Sequence, residues 1–413
     1  MDFNALLALM VQKNSFDLFI TAGRAPTMKI DGVLVEVAKT VFNKEQTMAL
    51  VLSLMEPRYK EEFHKTKECQ FAISVPNVGH FRVSAFIQRD FAGMVLHRIR
   101  QDIPDFDSLN LPKIIKKLVM EKRGLILFAG ALGSGKSTSL ASSLKYRNQN
   151  SNGHIIILDD PMKFMHAHIG CIVTQREVGL DTESYTVGLK NALQQSANVV
   201  SIGEIQSREV MQSAFNIVDS GQLCLSTLTT NNAEQTVERI LNFFPDDMQR
   251  QVRLDLATSL SAIISQQILR CENGQTYVVA EILIATPEVK EALRRGEFHR
   301  FKDLIINGRN SGMQSFDQAR CDLFMQQKIS YEDALESAEY KNEFRMMVKK
   351  LMENTDTADL QKNTVNNPSL DTSNQTSNNE QESKRPSAFE SSEITLSDIY
   401  DDSSDAGSIF THR

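Results

Sequence analysis

The sequence predicts an α/β protein in which a small α+β domain precedes a mostly parallel, covered sheet. Three observations carry that prediction. Apolar and polar residues alternate through much of the first hundred positions. After Ile114, short apolar runs alternate with helix-like segments. The first of those runs ends in a glycine-rich turn, "GALGSGKST". At 413 residues the chain is long enough for two sizeable cores.

Taken in order, "MDFNALLALMVQKN" reads as a capped amphipathic helix, with Asp2 where a secretory signal would need positive charge. Residues 16–37, "FDLFITAGRAPTMKIDGVLVEV", read as short strands broken by Gly and Pro, with Asp31-Gly32 as a hairpin signal. Helical stretches near 44–64 separate them from "HFRVSAFIQRDFAGMVLHRIR", residues 80–100, which alternates again. Residues 1–100 therefore form the first domain. The Pro- and Asp-punctuated segment 101–113 reads as a linker. In the second domain, 114–352, strands are expected at Leu125–Ala129, Ile155–Leu158, Val199–Ile202 and Leu223–Thr227. Residues 246–269, with Leu254, Leu256, Leu260, Ile263, Ile264 and Ile268, show helical spacing. Residues 353–413 are rich in Asn, Ser, Thr, Asp and Glu, and are expected to be a disordered acidic tail. Its apolar–acidic end, "FESSEITLSDIYDDSSDAGSIF", is either a partner-binding tip or a solvating one.

The formal net charge is -7, and from Thr355 onward eleven acids face four bases, which accounts for all of it. The remainder carries 41 of each sign, so no basic surplus points to nucleic acid. The cysteines, Cys69, Cys171, Cys224, Cys271 and Cys321, are scattered without a C-x-x-C pair, as expected of buried free thiols in a reducing compartment. No run approaches the roughly 20 apolar residues of a membrane span. The "HAH" of residues 166–168 lacks neighbouring ligands, and reads as surface decoration.

The glycine-rich turn fits G-x-x-x-x-G-K-[ST], from Gly130 through Ala131, Leu132, Gly133, Ser134 and Gly135 to Lys136 and Ser137, with Thr138 beyond. Phosphates need inward backbone N–H groups, which glycines allow because no Cβ blocks the approach. A helix starting at Lys136 adds its positive end. Lys136 is expected on the β and γ phosphates of ATP, and the Ser137 hydroxyl on Mg²⁺. Asp159 and Asp160 in "IIILDD", and Glu204 in "NVVSIGE", fall at strand exits, where ligands of open α/β sheets sit. There a carboxylate can hold the metal or orient water. Capping a following helix is the alternative.

In order along the chain, "GALGSGKST", "LDDPMKF", "QREVG", "SIGEI", "STLTTNNA", "RILNFFP" and "SGMQSFDQA" closely resemble the type IV pilus retraction ATPases, the PilT/PilU branch of the GspE/PulE-like secretion ATPases. The likeness runs from about Phe16 to Arg345, and "RNQNSNGH", "TNNAEQTVERILNFFP" and "YEDALESA" look more like PilU. The resemblance implies a PAS-like N-terminal domain joined flexibly to a RecA-like P-loop ATPase domain. It also implies a hexamer, homomeric or shared with a PilT-type ATPase, that binds ATP and Mg²⁺. That assembly would meet a pilus platform protein at the cytoplasmic face of the inner membrane, and drive pilus retraction and twitching. Arg82 and Arg98 best match the family's phosphate-clamping arginines, a task suited to a permanently charged fork. Arg176 also matches a family position, without an assigned role.

Departures from the family pattern share a direction. "IEDP" is "LDDP", so Asp159 is one methylene shorter than the usual glutamate. The histidine of "TLH" is Thr229. Asn198, Gln206 and Ser207 replace charged residues around "SIGE", and Gln267 replaces an arginine. Nucleotide-binding positions are kept, while those that polarise water or couple subunits are thinned. A retuned motor and a weakly hydrolysing, PilU-like accessory subunit both fit. In either, Glu204, Asp159 and Lys136 form the catalytic set, with Ser137 and Glu204 on the metal.

Overall fold

Alternating side chains in the first hundred residues place one face of a sheet on a core. The structure, a computed structural model, describes residues 3–30 and 32–364, with side chains through Met352. The first elements are α1 (Phe3–Gln12), β1 (Asp17–Thr21), β2 (Thr27–Ile30), β3 (Val33–Glu36), α2 (Lys44–Leu54), α3 (Pro57–Thr66), β4 (Glu68–Val75), β5 (Gly79–Gln88) and β6 (Phe91–Ile99). The strands form one antiparallel sheet in the order β3-β2-β1-β6-β5-β4. The Asp31 of the expected hairpin turn lies outside the described residues, but Ile30 pairs with Val33 across it. Phe71, Phe81, Val83 and Leu96 from the sheet pack on Leu7, Val51 and Phe63 from the three helices. Asn43 and Gln46 close a capping box that starts α2.

The segment expected to be a linker is packed rather than free. A 3₁₀ turn at Phe106–Leu109 and α4 (Ile114–Leu118) lie within it and just beyond. Phe106, Leu111 and Ile115 join the core beneath the second sheet. From α5 (Lys136–Asn150), Ser142 donates to the Pro104 carbonyl at 2.8 Å and Lys145 to that of Ile103 at 2.7 Å.

The second sheet contains β7 (Gly124–Gly130), β8 (Gly153–Asp159), β9 (Cys171–Glu177), β10 (Val199–Ile202), β11 (Leu223–Leu228), β12 (Leu260–Arg270) and β13 (Thr276–Ile284). Its order is β13-β12-β7-β11-β10-β8-β9, parallel throughout except for the β12–β13 pair. Besides α5, the helices are α6 (Tyr185–Ala192), α7 (Arg208–Asp219), α8 (Ala233–Leu241), α9 (Asp246–Ser259), α10 (Pro287–Arg295) and α11 (Phe301–Asn307). Both faces are covered. Leu125 and Leu127 of β7 face a core shared with α7, α8, α9 and α10, while Ile126 and Phe128 face one shared with α5. The parallel strands bring the ends of β7, β8 and β10 to one edge, around a place where chain-adjacent strands are not sheet neighbours.

One expectation fails at 260–269. The helix stops at Ser259, and Leu260–Arg270 is strand β12. With Ile263 and Ile264 buried on opposite faces, this strand is apolar on both sides, and such a run cannot be told from a buried helix by periodicity alone.

The compact unit holding both sheets ends at Ala319. A second unit begins at Arg320, within α12 (Phe316–Met325), and carries α13 (Tyr331–Ser337) and α14 (Lys341–Thr364). Helix α14 thus continues into the segment assigned to the tail, and the remainder of that tail lies outside the described residues. All five cysteines are buried, and none forms a disulfide. Among the described residues no helix is long and apolar enough to cross a membrane.

Candidate functional site

The loop between β7 and α5 exists because its glycines accept positions that other residues resist. Gly133 and Gly135 have φ of 80° and 91°. At Gly130, φ is 151°, and a Cβ would stand 2.6 Å from the Gln266 carbonyl oxygen. The Lys136 ammonium donates to the carbonyls of Gly130 at 2.6 Å and Ala131 at 2.9 Å, and its own burial lowers its pKa. Ser134 is buried with an unpartnered hydroxyl, whereas Leu132 is 95% exposed at the loop's tip. Ser137 and Thr138 open the first turn of α5, and with Gly133, Lys136, Glu204 and Thr229 they line a cavity of about 240 Å³. This cradle fits phosphate groups: N–H donors on a helix start, no Cβ in the way, and a buried lysine.

Glu204 follows β10 and enters that cavity. Its two carboxylate oxygens are engaged separately. The Thr229 hydroxyl donates to Oε1 at 2.6 Å and the Gln206 amide to Oε2 at 3.2 Å. Two of the departures from the family pattern therefore act on one carboxylate. Asp159 ends β8, half-buried against Gly203, where a Cβ would stand 2.3 Å from its Oδ1. Burial pushes its carboxyl up to about 6, opposed by the Lys163 ammonium and reinforced by Glu177 and Asp160. Burial likewise raises the Tyr185 hydroxyl, which lies 3.0 Å from that same Cβ position. Ser137, Asp159 and Glu204 offer the hard oxygen donors that Mg²⁺ prefers, so the donor set fits such an ion.

The structure brings Lys136, Ser137 and Glu204 together around one cavity, with Asp159 beside Ser137 in the adjoining one. It does not bring Arg82 and Arg98 there. Phe81 pairs with Arg98 and Arg82 with His97, so the two arginine side chains leave opposite faces of the first sheet. Arg82 forms an ion pair with the buried Glu177 at 3.2 Å, and also donates to Gln70. Neither arginine lines the phosphate-loop cavity. Arg176 donates to the Asp181 carbonyl at 3.2 Å, a local tie within the loop after β9. Asn198 is likewise structural, accepting from the His154 backbone at 2.8 Å. At the H-x-H, His168 accepts from the Val173 backbone at 3.0 Å.

Two site residues escape sequence reading. Gln266 lies buried in β12 and donates to Ser139 at 2.8 Å, beneath the loop, and its only signal is a glutamine inside an apolar run. The Lys163 ammonium donates to the Ser137 hydroxyl at 3.0 Å, and nothing in "LDDPMKF" separates it from a surface lysine.

Residues 3–387 match the family described as type II/IV secretion system protein. The chain is 50% identical over 350 residues to the type IV pilus ATPase PilU of Pseudomonas aeruginosa, covering 84% of this chain and 92% of that protein. It is 32% identical over 344 residues to the type IV pilus retraction ATPase PilT of the same organism, covering 83% and 100%. A crystal structure of the pilus retraction motor PilT with bound ADP superposes with a TM-score of 0.75 at 32% identity, over 83% of this chain and 98% of that one. With a phosphate loop on its first covered strand and carboxylates at the neighbouring strand ends, the chain belongs to the type II/IV secretion system protein family, in its PilT/PilU branch of type IV pilus ATPases.

Proposed function

We propose that this chain is a motor subunit that binds ATP with Mg²⁺ in the loop 130–137 and hydrolyses it to power type IV pilus retraction and twitching. The carrying observation is that Lys136, Ser137 and Glu204 line one cavity at the sheet's carboxyl edge. In this reading the loop amides and Lys136 hold the phosphates, and Ser137 and Glu204 hold the metal. Bound there, Mg²⁺ would neutralise charge developing on the transferred phosphoryl group. Asp159, whose raised carboxyl sits beside Ser137 in the adjoining cavity, orients the attacking water. Leu132, exposed at the tip, and Thr138 flank the phosphate path. Arg82 and Arg98 reach the nucleotide only if the first sheet moves, because Arg82 is held by Glu177. The working assembly is a hexamer, homomeric or shared with a PilT-type ATPase. It acts at the cytoplasmic face of the inner membrane against a pilus platform protein, and nucleic acid is not a partner. The domain limits 1–100, 101–113 and 114–352 belong to the same reading.

One observation favours a second reading, a PilU-like subunit that binds ATP, hydrolyses little and assists an active retraction ATPase. Thr229 and Gln206 each donate to one Glu204 oxygen, so metal and water compete with two hydrogen bonds for the carboxylate's remaining lone pairs. The test is ATP turnover by the purified chain, alone and mixed with a PilT-type ATPase, with Lys136→Ala as control. Turnover that Lys136→Ala abolishes is the expected result. Turnover absent alone but altered in the mixture selects the accessory subunit. Failure to bind adenine nucleotide with magnesium overturns both.

A further inference from the structure

We propose that Lys163 is a built-in counter-charge for the nucleotide phosphates, lodged at the Ser137 hydroxyl, so that this chain holds nucleoside diphosphates and triphosphates with little dependence on divalent metal. The inference rests on the reading of loop 130–137 as the phosphate site.

The position of Lys163 is set by packing rather than by chance reach. Phe164 is buried against Ala141 of α5 and Ile103. Ala141 lies one helical turn beyond Ser137, on the same face of α5. Anchoring Phe164 on that face therefore points the preceding residue toward the start of the helix. The backbone is pinned as well, because the Arg100 N–H donates to the Lys163 carbonyl at 3.2 Å and the Met165 N–H to the Arg100 carbonyl at 2.8 Å. From there the ammonium donates to Ser137 at 3.0 Å and lines both the phosphate-loop cavity and the one holding Asp159. Its charge is felt by both functional partners, adding to the burial that lowers the pKa of Lys136 and opposing the burial that raises that of Asp159.

Two ammonium groups, Lys136 and Lys163, thus flank the position that phosphate oxygens would occupy, with Asp159 and Glu204 as the opposing carboxylates. A lysine is a compact point charge that binds phosphate as a metal ion does electrostatically, but with a single charge and no coordinated water. Grip would then be uncoupled from the metal that hydrolysis needs.

The test is equilibrium binding of ADP to the full chain in magnesium and in EDTA, for wild type, Lys163→Met, Lys163→Arg and Lys136→Ala. Wild type and Lys163→Arg are expected to lose little affinity in EDTA, while Lys163→Met loses about tenfold or more there and much less in magnesium. Retained binding in magnesium shows that the variant is folded. A large loss of affinity by wild type in EDTA, or equal losses by Lys163→Met in both buffers, overturns the proposal. If wild type fails to bind ADP even with magnesium, or if Lys136→Ala binds it there as tightly as wild type, the phosphate-site reading itself falls.

Discussion

Asp159 illustrates how one residue's surroundings set its chemistry. Gly203 leaves just enough room for its carboxylate, and burial raises the carboxyl from 3.8 to about 6 despite the Lys163 ammonium. A folded carboxyl that holds its proton more tightly than the unfolded one makes ionisation cost stability between those two values. Compared with Asp159→Asn, the wild type should therefore be relatively more stable near about pH 5 than near about pH 8, with the difference flat above pH ~7. Turnover runs the opposite way. If Asp159 orients the water as proposed, it must be a carboxylate, so the rate should fall as pH drops through about 6, and Asp159→Asn should abolish turnover. Melting temperatures and a pH–rate profile check both signs. A melting-temperature difference that does not change with pH would remove Asp159 as the titrating group.

The elements around the site are held by caps that also aim it. Asn232 caps α8, accepting from the Gln235 backbone at 2.9 Å, and the residues just before it run back to Thr229 on Glu204. Asn232→Ala should lower stability by about 1 kcal/mol, read as a shift in the denaturation midpoint. A variant as stable as wild type would mean that the Ala233 N–H, bonded to Glu281 at 2.8 Å, suffices to hold the helix start. Strand identity was legible for β7, β8, β10 and β11, whose short apolar runs lie between turn residues. It was not legible for β12, because a strand buried on both faces loses the alternation that marks strands. Nor was it for β9, where polar Thr174, Gln175 and Arg176 mask an edge strand.

Across the whole unit, the two sheets are joined by an ion pair that no sequence pattern announces. Arg82 on β5 meets Glu177 at the end of β9, a carboxyl that burial pushes up and the guanidinium pulls down. Arg82→Ala leaves a buried carboxylate without its partner, at a cost of up to roughly 3 kcal/mol, whereas Arg82→Ala with Glu177→Gln should recover part of that loss. The deficit of the single variant should shrink in acid, where Glu177 takes up its proton and no charge is left to compensate. Chemical denaturation of wild type, single and double variants at two pH values distinguishes this from a surface contact, for which the single substitution would cost almost nothing.

Glycine spacing and apolar periodicity are local properties that survive any arrangement of the rest, which is why the α/β class, the loop 130–137 and the carboxylates at 159 and 204 were readable from the residues alone. The partners depend on the fold: Thr229 and Gln206 on Glu204, Lys163 on Ser137, and Arg82 on Glu177. Most of these contacts join residues far apart in the chain. Strand order brings them together, and a hydrogen-bonding side chain leaves no trace in sequence of which partner it meets.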